Sequence, residues 1–303
     1  MQKSILIIGG TGFLGYHLAK KCLKKKWKVT SVSTNKPKKI RFLLKVNYLI
    51  FDIAKKELVN NNLKSNYDYV VNFGGYVNHK EKIKTFKSHY LGCKNLADFF
   101  QKRKINSFIQ IGSSVEYGKI ESPQKENIET NVQKLKSTYG KAKLMATNYL
   151  LKLNKKSNFP CTILRLYLIY GTHQDTNRLI PYTLNKCLNN ENFSCSEGKQ
   201  YRDFLFVEDL IKAIVNCFDN KKSIGQIINI GSGKPKKIKS VILYIKNKIK
   251  LGKPLFGKVP LRKDEILTLC PEIKKAKKIL RWKPEVSFNK GIDIITKYYK
   301  KPY

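Results

Sequence analysis

Short apolar, β-branched runs alternate along the chain with longer stretches whose apolar positions recur every three or four residues. Ser4 to Ile8 reads as a first strand, and Leu14, Leu18 and Cys22 behind it line one face of a helix. Val29 to Ser33, Val46 to Phe51 and Tyr69 to Asn72 read as three further strands, the last followed by the pair Gly74-Gly75. Phe86, Tyr90, Ala97 and Phe100 mark one long helix. Phe108 to Ile111 is a strand, Tyr139 to Leu153 a helix and Thr162 to Leu166 another strand. Strands separated by helices of this length predict βαβ units and an α/β fold, a Rossmann-type doubly wound parallel sheet.

Residues 1–171 are therefore expected to form the Rossmann-type domain. Beyond Gly171 the pattern loosens around Pro181, a helical Tyr182 to Leu188 and an Asn/Glu-rich break. Asp209 to Phe218 reads as helix and Gln226 to Ile230 as strand, so the chain is expected to return to the sheet at about 202–233. A smaller substrate-binding lobe is expected from 172–201 and 234–303.

Composition narrows the setting. No apolar run among the 303 residues reaches the roughly 18 to 20 that would span a bilayer. The apolar stretch after Met1-Gln2-Lys3-Ser4 stops at a glycine pair, too short for a signal peptide. Seven scattered cysteines form no CxxC and no metal-ligand spacing with the four histidines, which predicts free thiols, no metal and a cytoplasmic protein without a membrane partner. The formal charge of +40 invites a nucleic-acid partner, but 54 of the 61 basic residues are Lys, spread along the whole chain. Arg, the better bidentate reader of phosphates and bases, is not enriched. No nucleic-acid partner is expected; the field instead attracts anionic metabolites.

Gly9, Gly12 and Gly15 stand between the first strand and the first helix. Their spacing suits a tight turn, close approach of backbone to a pyrophosphate and close packing of helix on sheet. With Thr11, Phe13 and Leu14 they predict a dinucleotide site. The second strand ends Ser33-Thr34-Asn35-Lys36, with Lys38 and Lys39 beyond and no carboxylate to hold a ribose 2′-hydroxyl. Ser33, Asn35 and Lys36 favour NADP(H), with NAD(H) the alternative, since the lysines also belong to the general basic background. Asp52-Ile53 is placed for the adenine end.

Tyr139 and Lys143, four residues apart, project from one helix face. A phenol of pKa about 10 exchanges protons near neutrality when a fixed cation stabilises its anion. Lys143 is the expected cation and is also expected to reach the nicotinamide ribose, and Ser113 at a strand end is expected to orient the reacting oxygen.

Together with GGTGFLG at 9–15, these residues sit among DYVVNFGG at 68–75, GSSVEYG at 112–118, YGKAK at 139–143, LRLYLIYG at 164–171, RDFLFVEDL at 202–210 and LRWKPEVSFNKGI at 280–292. In this the chain resembles extended short-chain dehydrogenases/reductases of the NAD-dependent epimerase/dehydratase family, and most of all reductases of 4-keto-6-deoxy nucleotide sugars. The resemblance implies Ser113, Tyr139 and Lys143 as the catalytic triad, and Phe73, Gly74 and Gly75 beside the cofactor. It implies Arg202 and Arg262 on the substrate pyrophosphate, with Ser114, Glu116 and Arg178 also on the substrate side, and a homodimer. Asp203 and Asp209 are expected to fix the local fold.

The departures from the family bear on the reaction. Dehydratases of the family carry an acid pair directly after the Ser/Thr, where this chain has Ser114 and Val115. Epimerases that recycle a held NAD usually keep the second-strand carboxylate, which is missing. The expected activity is NADP(H)-dependent reduction of the C4 keto group of a nucleotide-activated 4-keto-6-deoxyhexose, for surface-polysaccharide synthesis. The alternative is an NAD-dependent nucleotide-sugar 4-epimerase. His89 stands where the family often has Asn and reads as a packing or locally hydrogen-bonded residue; His79 and His173 have no assigned partner.

Overall fold

Alternation within the first strand sets the layers. In the computed structural model, which describes residues 2–64, 66–261 and 265–300, β1 (Ser4–Ile8) sends Ile5 and Ile7 into one core and Leu6 and Ile8 into another. A strand buried on both faces belongs in a sheet covered by helices on both sides.

The other sheet strands are β2 (Lys28–Ser33), β3 (Val46–Ile50), β4 (Tyr69–Asn72), β5 (Ser107–Ser113), β6 (Cys161–Leu166) and Gln226–Ile230. All pair in parallel, in the order Gln226–Ile230, β6, β5, β4, β1, β2, β3. The direction of winding reverses between β1 and β4, and the crevice beyond their carboxyl ends is where such sheets bind ligands.

The helices of the first half are α1 (Phe13–Lys24), α2 (Lys56–Asn62), α3 (Lys82–Phe86), α4 (Gly92–Gln101) and α5 (Thr138–Ser157). Those of the second are α6 (Leu179–Leu188), α7 (Val207–Val215), α8 (Ile238–Ile249), α9 (Lys274–Leu280) and α10 (Phe288–Lys300). Leu18 and Cys22 of α1, Leu210 and Ile214 of α7 and Leu280 of α9 pack on one face of the sheet. Leu96 and Phe100 of α4 and Leu150 of α5 pack on the other. A third core joins Leu184 of α6, Val241 and Ile245 of α8 and Ile292 and Ile295 of α10 beside the sheet. The tail is tied back where buried Trp282 donates its indole N–H to the Asp209 carbonyl at 2.9 Å.

The helix expected through 86–100 runs unbroken from α3 into α4 but carries an irregular turn. Residues Lys87–Leu91 widen into a π-helical turn between α3 and α4, with His89 buried inside it. Such turns insert a residue and redirect the side chains around them. All seven cysteines are free and buried. Among the described residues, no helix is long and apolar enough to cross a membrane.

Candidate active site

The turn after β1 is built so that nothing but glycine fits. A Cβ on Gly15 would lie 2.4 Å from the Gly9 carbonyl oxygen and 2.5 Å from the Gly10 Cα. A Cβ on Gly9, whose φ is +73°, would press on the backbone of Phe73 and Gly74 at 3.2 to 3.3 Å. The turn after β1 therefore rests directly on the turn after β4. Gly12 caps α1 without any side-chain bond, which leaves first-turn amides free to face an anion. This arrangement fits the pyrophosphate of a dinucleotide, held by residues 11–15.

Toward the adenosine side, Ser33 Oγ accepts the Thr11 amide at 3.3 Å, while Asn35 and Lys36 are exposed. Lys38 is not free for a phosphate, because it pairs with Asp175 at 2.9 Å. Arg41 is buried beside it, donating to the same carboxylate and to the His173 carbonyl. His173 thus has partners after all: its ring nitrogen lies 3.3 Å from the Tyr16 hydroxyl, stitching α1 to the loop after Gly171. Asp52 accepts the Ala54 amide at 2.9 Å in a local turn, and Ile53 is buried against the positions of Gly74 and Gly92.

Ser113 is the last residue of β5. Opposite it, Ser137 caps α5 by accepting the Gly140 amide at 3.0 Å. Gly140 lets the helix start lie on the turn after β5, since a Cβ there would meet the Val115 carbonyl at 3.3 Å. Tyr139 is thereby presented beside Ser113. Burial raises the phenol's pKa, and a hydrogen bond with the Ser113 hydroxyl and the charge of Arg178 act in the opposite direction.

Lys143 occupies a different place from the one its spacing suggests. Its Nζ donates to the Ile111 carbonyl at 2.6 Å and stands 6.0 Å from the centre of the Tyr139 ring, so its partner is the strand and not the phenol oxygen. Burial pulls the ammonium down to about 8, with the Glu116 carboxylate opposing the fall.

Glu116 requires a correction. Expected on the substrate side, it is fully buried: Oε1 accepts the Ser113 amide at 2.7 Å, and Oε2 accepts from Thr147 Oγ1 at 2.8 Å and from Arg165 Nε at 2.9 Å. Every contact points into the protein. The Ser113-x-x-Glu116 spacing is a capping box, a signal that the sequence itself carries. Ser114 is buried too, whereas Arg178 is exposed at the start of α6.

Two histidines join the site. His79, on the exposed loop after β4, stacks face to face on Tyr139 with centroids 3.9 Å apart and planes at 12°. His89 meets the same ring edge-on at 4.8 Å and bonds the Tyr76 carbonyl through Nε2 at 3.2 Å. Burial drives its pKa down to about 2, so the ring is neutral. A Cβ on Gly75 would collide with His89, which links the glycine crevice to the phenol through one imidazole. The run of glycines after β4 carried the only advance sign of this crowding.

On the substrate side Arg202 is nearly buried and ion-paired with Glu265, while donating to the carbonyls of Tyr201 and Leu267. A cavity of about 520 Å³ lies alongside, lined by residues 119–122, Glu265, Ile266 and Thr268. Arg262 lies outside the described residues. Asp203 accepts from the Ser232 amide and hydroxyl and from the Lys234 amide, and Asp209 accepts the amides of Glu285 and Val286.

A glycine turn at the switch point of a doubly wound sheet, facing a Ser, Tyr and Lys grouped at the same edge, defines an extended short-chain dehydrogenase/reductase. The chain belongs to the NAD dependent epimerase/dehydratase family, whose model matches residues 5–231. A putative UDP-glucose 4-epimerase of Methanocaldococcus jannaschii is 27% identical over 98% of both chains. A CDP-abequose synthase of Salmonella muenchen is 25% identical over 96% of each. Among solved structures, the UDP-glucose 4-epimerase of Thermotoga maritima superposes with a TM-score of 0.91 at 22% identity, over 98% of both chains.

Proposed function

We propose that this enzyme reduces the C4 keto group of a nucleotide-activated 4-keto-6-deoxyhexose, using NADPH. When bound, the nicotinamide supplies the hydride. Tyr139 gives a proton to the oxygen that becomes the alcohol, and Ser113 holds that oxygen by a hydrogen bond. Lys143, anchored on the Ile111 carbonyl, puts a positive charge 6.0 Å from the centre of the Tyr139 ring and holds the ribose side of the site. The turn at 11–15 binds the pyrophosphate; Ser33, Asn35 and Lys36 receive the 2′-phosphate. Arg202, with Arg262, receives the substrate diphosphate.

One observation favours reduction over elimination of water. The carboxylate in the segment after Ser113 is committed to Arg165 and Thr147, which leaves the Tyr139 phenol as the acid bonded to the serine. One proton and one hydride reduce a carbonyl, whereas elimination of water also needs a base and a second acid.

A second reading, a nucleotide-sugar 4-epimerase that recycles NAD, is favoured by the full-length match to the protein named as a putative UDP-glucose 4-epimerase. Purification separates the two. Stoichiometric NAD surviving gel filtration supports the epimerase, whereas exchangeable NADPH consumed only with a 4-keto sugar nucleotide supports the reductase. We further propose a soluble cytoplasmic homodimer, which sedimentation at micromolar concentration tests.

A further inference from the structure

We propose that Glu116 is the positioning residue of this site: one buried carboxylate that holds the strand-end serine and the helix of Tyr139 and Lys143 in register and supplies the counter-charge to the Lys143 ammonium. The inference rests on the reading of Ser113, Tyr139 and Lys143 given above, but its test does not depend on the reaction.

The geometry ties three elements to one side chain. Glu116 binds the Ser113 amide at the end of β5, Thr147 on α5 and Arg165 on β6. Tyr139, Lys143 and Thr147 are spaced by four, so the carboxylate grips the same helix face that carries the phenol and the ammonium. Gly112 leaves room for it: a Cβ there would lie 2.5 Å from Oε1 and 3.2 Å from Arg165 Cγ.

As a stabilising device the arrangement is poor. Arg165 is fully buried, and its two terminal nitrogens have no hydrogen-bond partner among the described residues; the guanidinium carbon stands over the Tyr117 ring, 4.4 Å from its centre. Burying such a pair costs desolvation that apolar side chains of similar volume avoid. A short turn could be capped more cheaply, so capping alone does not account for it.

The electrostatics supply the missing role. The groups facing Lys143 are Glu116 from the turn after β5, Cys93 from α4, His89 from the π-helical turn and Tyr139 from its own helix. Cys93 is pushed up to about 12 and His89 down to about 2, so both are neutral near pH 7, and the buried phenol of Tyr139 is raised. The Arg165-paired carboxylate is the negative charge left to hold the ammonium against its burial.

The test is a titration of the protein without cofactor or sugar. Chains labelled with ¹³C at the lysine Cε are followed by NMR from pH 6 to 11, the Lys143 signal being the one absent from Lys143→Met. In the wild type its midpoint lies near 8. In Glu116→Gln it falls by about one unit or more, the usual effect of an opposite charge at close range. Thr147→Val, which keeps the charge, keeps the midpoint. Should Glu116→Gln fail to fold, Glu116→Gln/Arg165→Gln, which does not strand the buried guanidinium, is titrated in its place and is also expected to lower the Lys143 midpoint. A folded variant of either kind with the wild-type midpoint would overturn the proposal, as would an equal fall in Thr147→Val. Because neither cofactor nor sugar is present, the outcome is the same whether or not the reduction is found.

Discussion

Replacing Lys143 by Met should make the ligand-free protein more stable at neutral pH while removing its activity. The ammonium is fully buried and held at about 8, against 10.5 for a free lysine. Keeping it charged at pH 7 therefore costs on the order of 3 kcal/mol, at about 1.4 kcal/mol per unit. Methionine removes that cost but forfeits the bond to the Ile111 carbonyl, worth about 1 kcal/mol. The variant should gain about 2 kcal/mol at pH 7. Between pH 8 and 10.5 the unfolded chain still binds the Lys143 proton while the native protein has released it. Wild-type stability therefore rises relative to the variant as pH increases. By pH 10 the charge cost has fallen to about 1 kcal/mol, and the two proteins should be nearly equal. Urea unfolding of both proteins at pH 7 and pH 10 measures this directly. A variant that is less stable than wild type at pH 7, or a difference that does not narrow with pH, refutes the reasoning.

Tyr139→Phe should retain dinucleotide affinity and lose about 10² to 10⁴ in turnover, the usual range for general acid assistance; steady-state kinetics with a near wild-type kcat would exclude the phenol. Gly15→Ala forces a methyl to within 2.4 Å of the Gly9 carbonyl, so the turn must open and dinucleotide affinity should fall at least about tenfold by fluorescence titration while the circular dichroism stays native. Lys36→Glu places a carboxylate at the exposed end of β2 and should turn the NADP(H) preference toward NAD(H), read as the ratio of the two dissociation constants; an unchanged ratio would show that Lys36 does not meet the 2′-phosphate.

The parts of the fold that were legible are those where one physical demand dominates. Strands buried on both faces are mostly apolar, which is why Ser4–Ile8, Tyr69–Asn72 and Cys161–Leu166 stand out. The turn after β1 has no room for a Cβ at Gly15, and glycine spacing records that constraint. Where two demands share one residue, the pattern misleads. The family resemblance puts Glu116 on the substrate side, yet its three-residue offset from Ser113 serves a cap, and long-range pairing with Arg165 leaves no local trace. The π-helical turn at Lys87–Leu91 was hidden because Phe86 and Tyr90 keep ordinary helical spacing in the sequence, whereas the folded chain buries Thr85 and His89 and presses His89 against Gly75. The stacking of His79 on Tyr139 joins a loop to a helix 60 residues away, a relation that periodicity does not encode. In the smaller lobe, Ile238, Val241, Ile242 and Ile245 do repeat at helical spacing, but lysines on both sides blur the ends of α8.

Transfer of deuterium from NADPH labelled at the nicotinamide C4 tests the proposed reaction most directly. Incubated with nucleotide-linked 4-keto-6-deoxyhexoses and analysed by mass spectrometry and NMR, the wild-type enzyme should yield a sugar carrying one deuterium at C4, with one NADPH consumed per product. Tyr139→Phe should bind the same dinucleotide and yield almost none. Interconversion of two hexose nucleotides with no label incorporated and no NADPH consumed would contradict the account and establish the epimerase in its place.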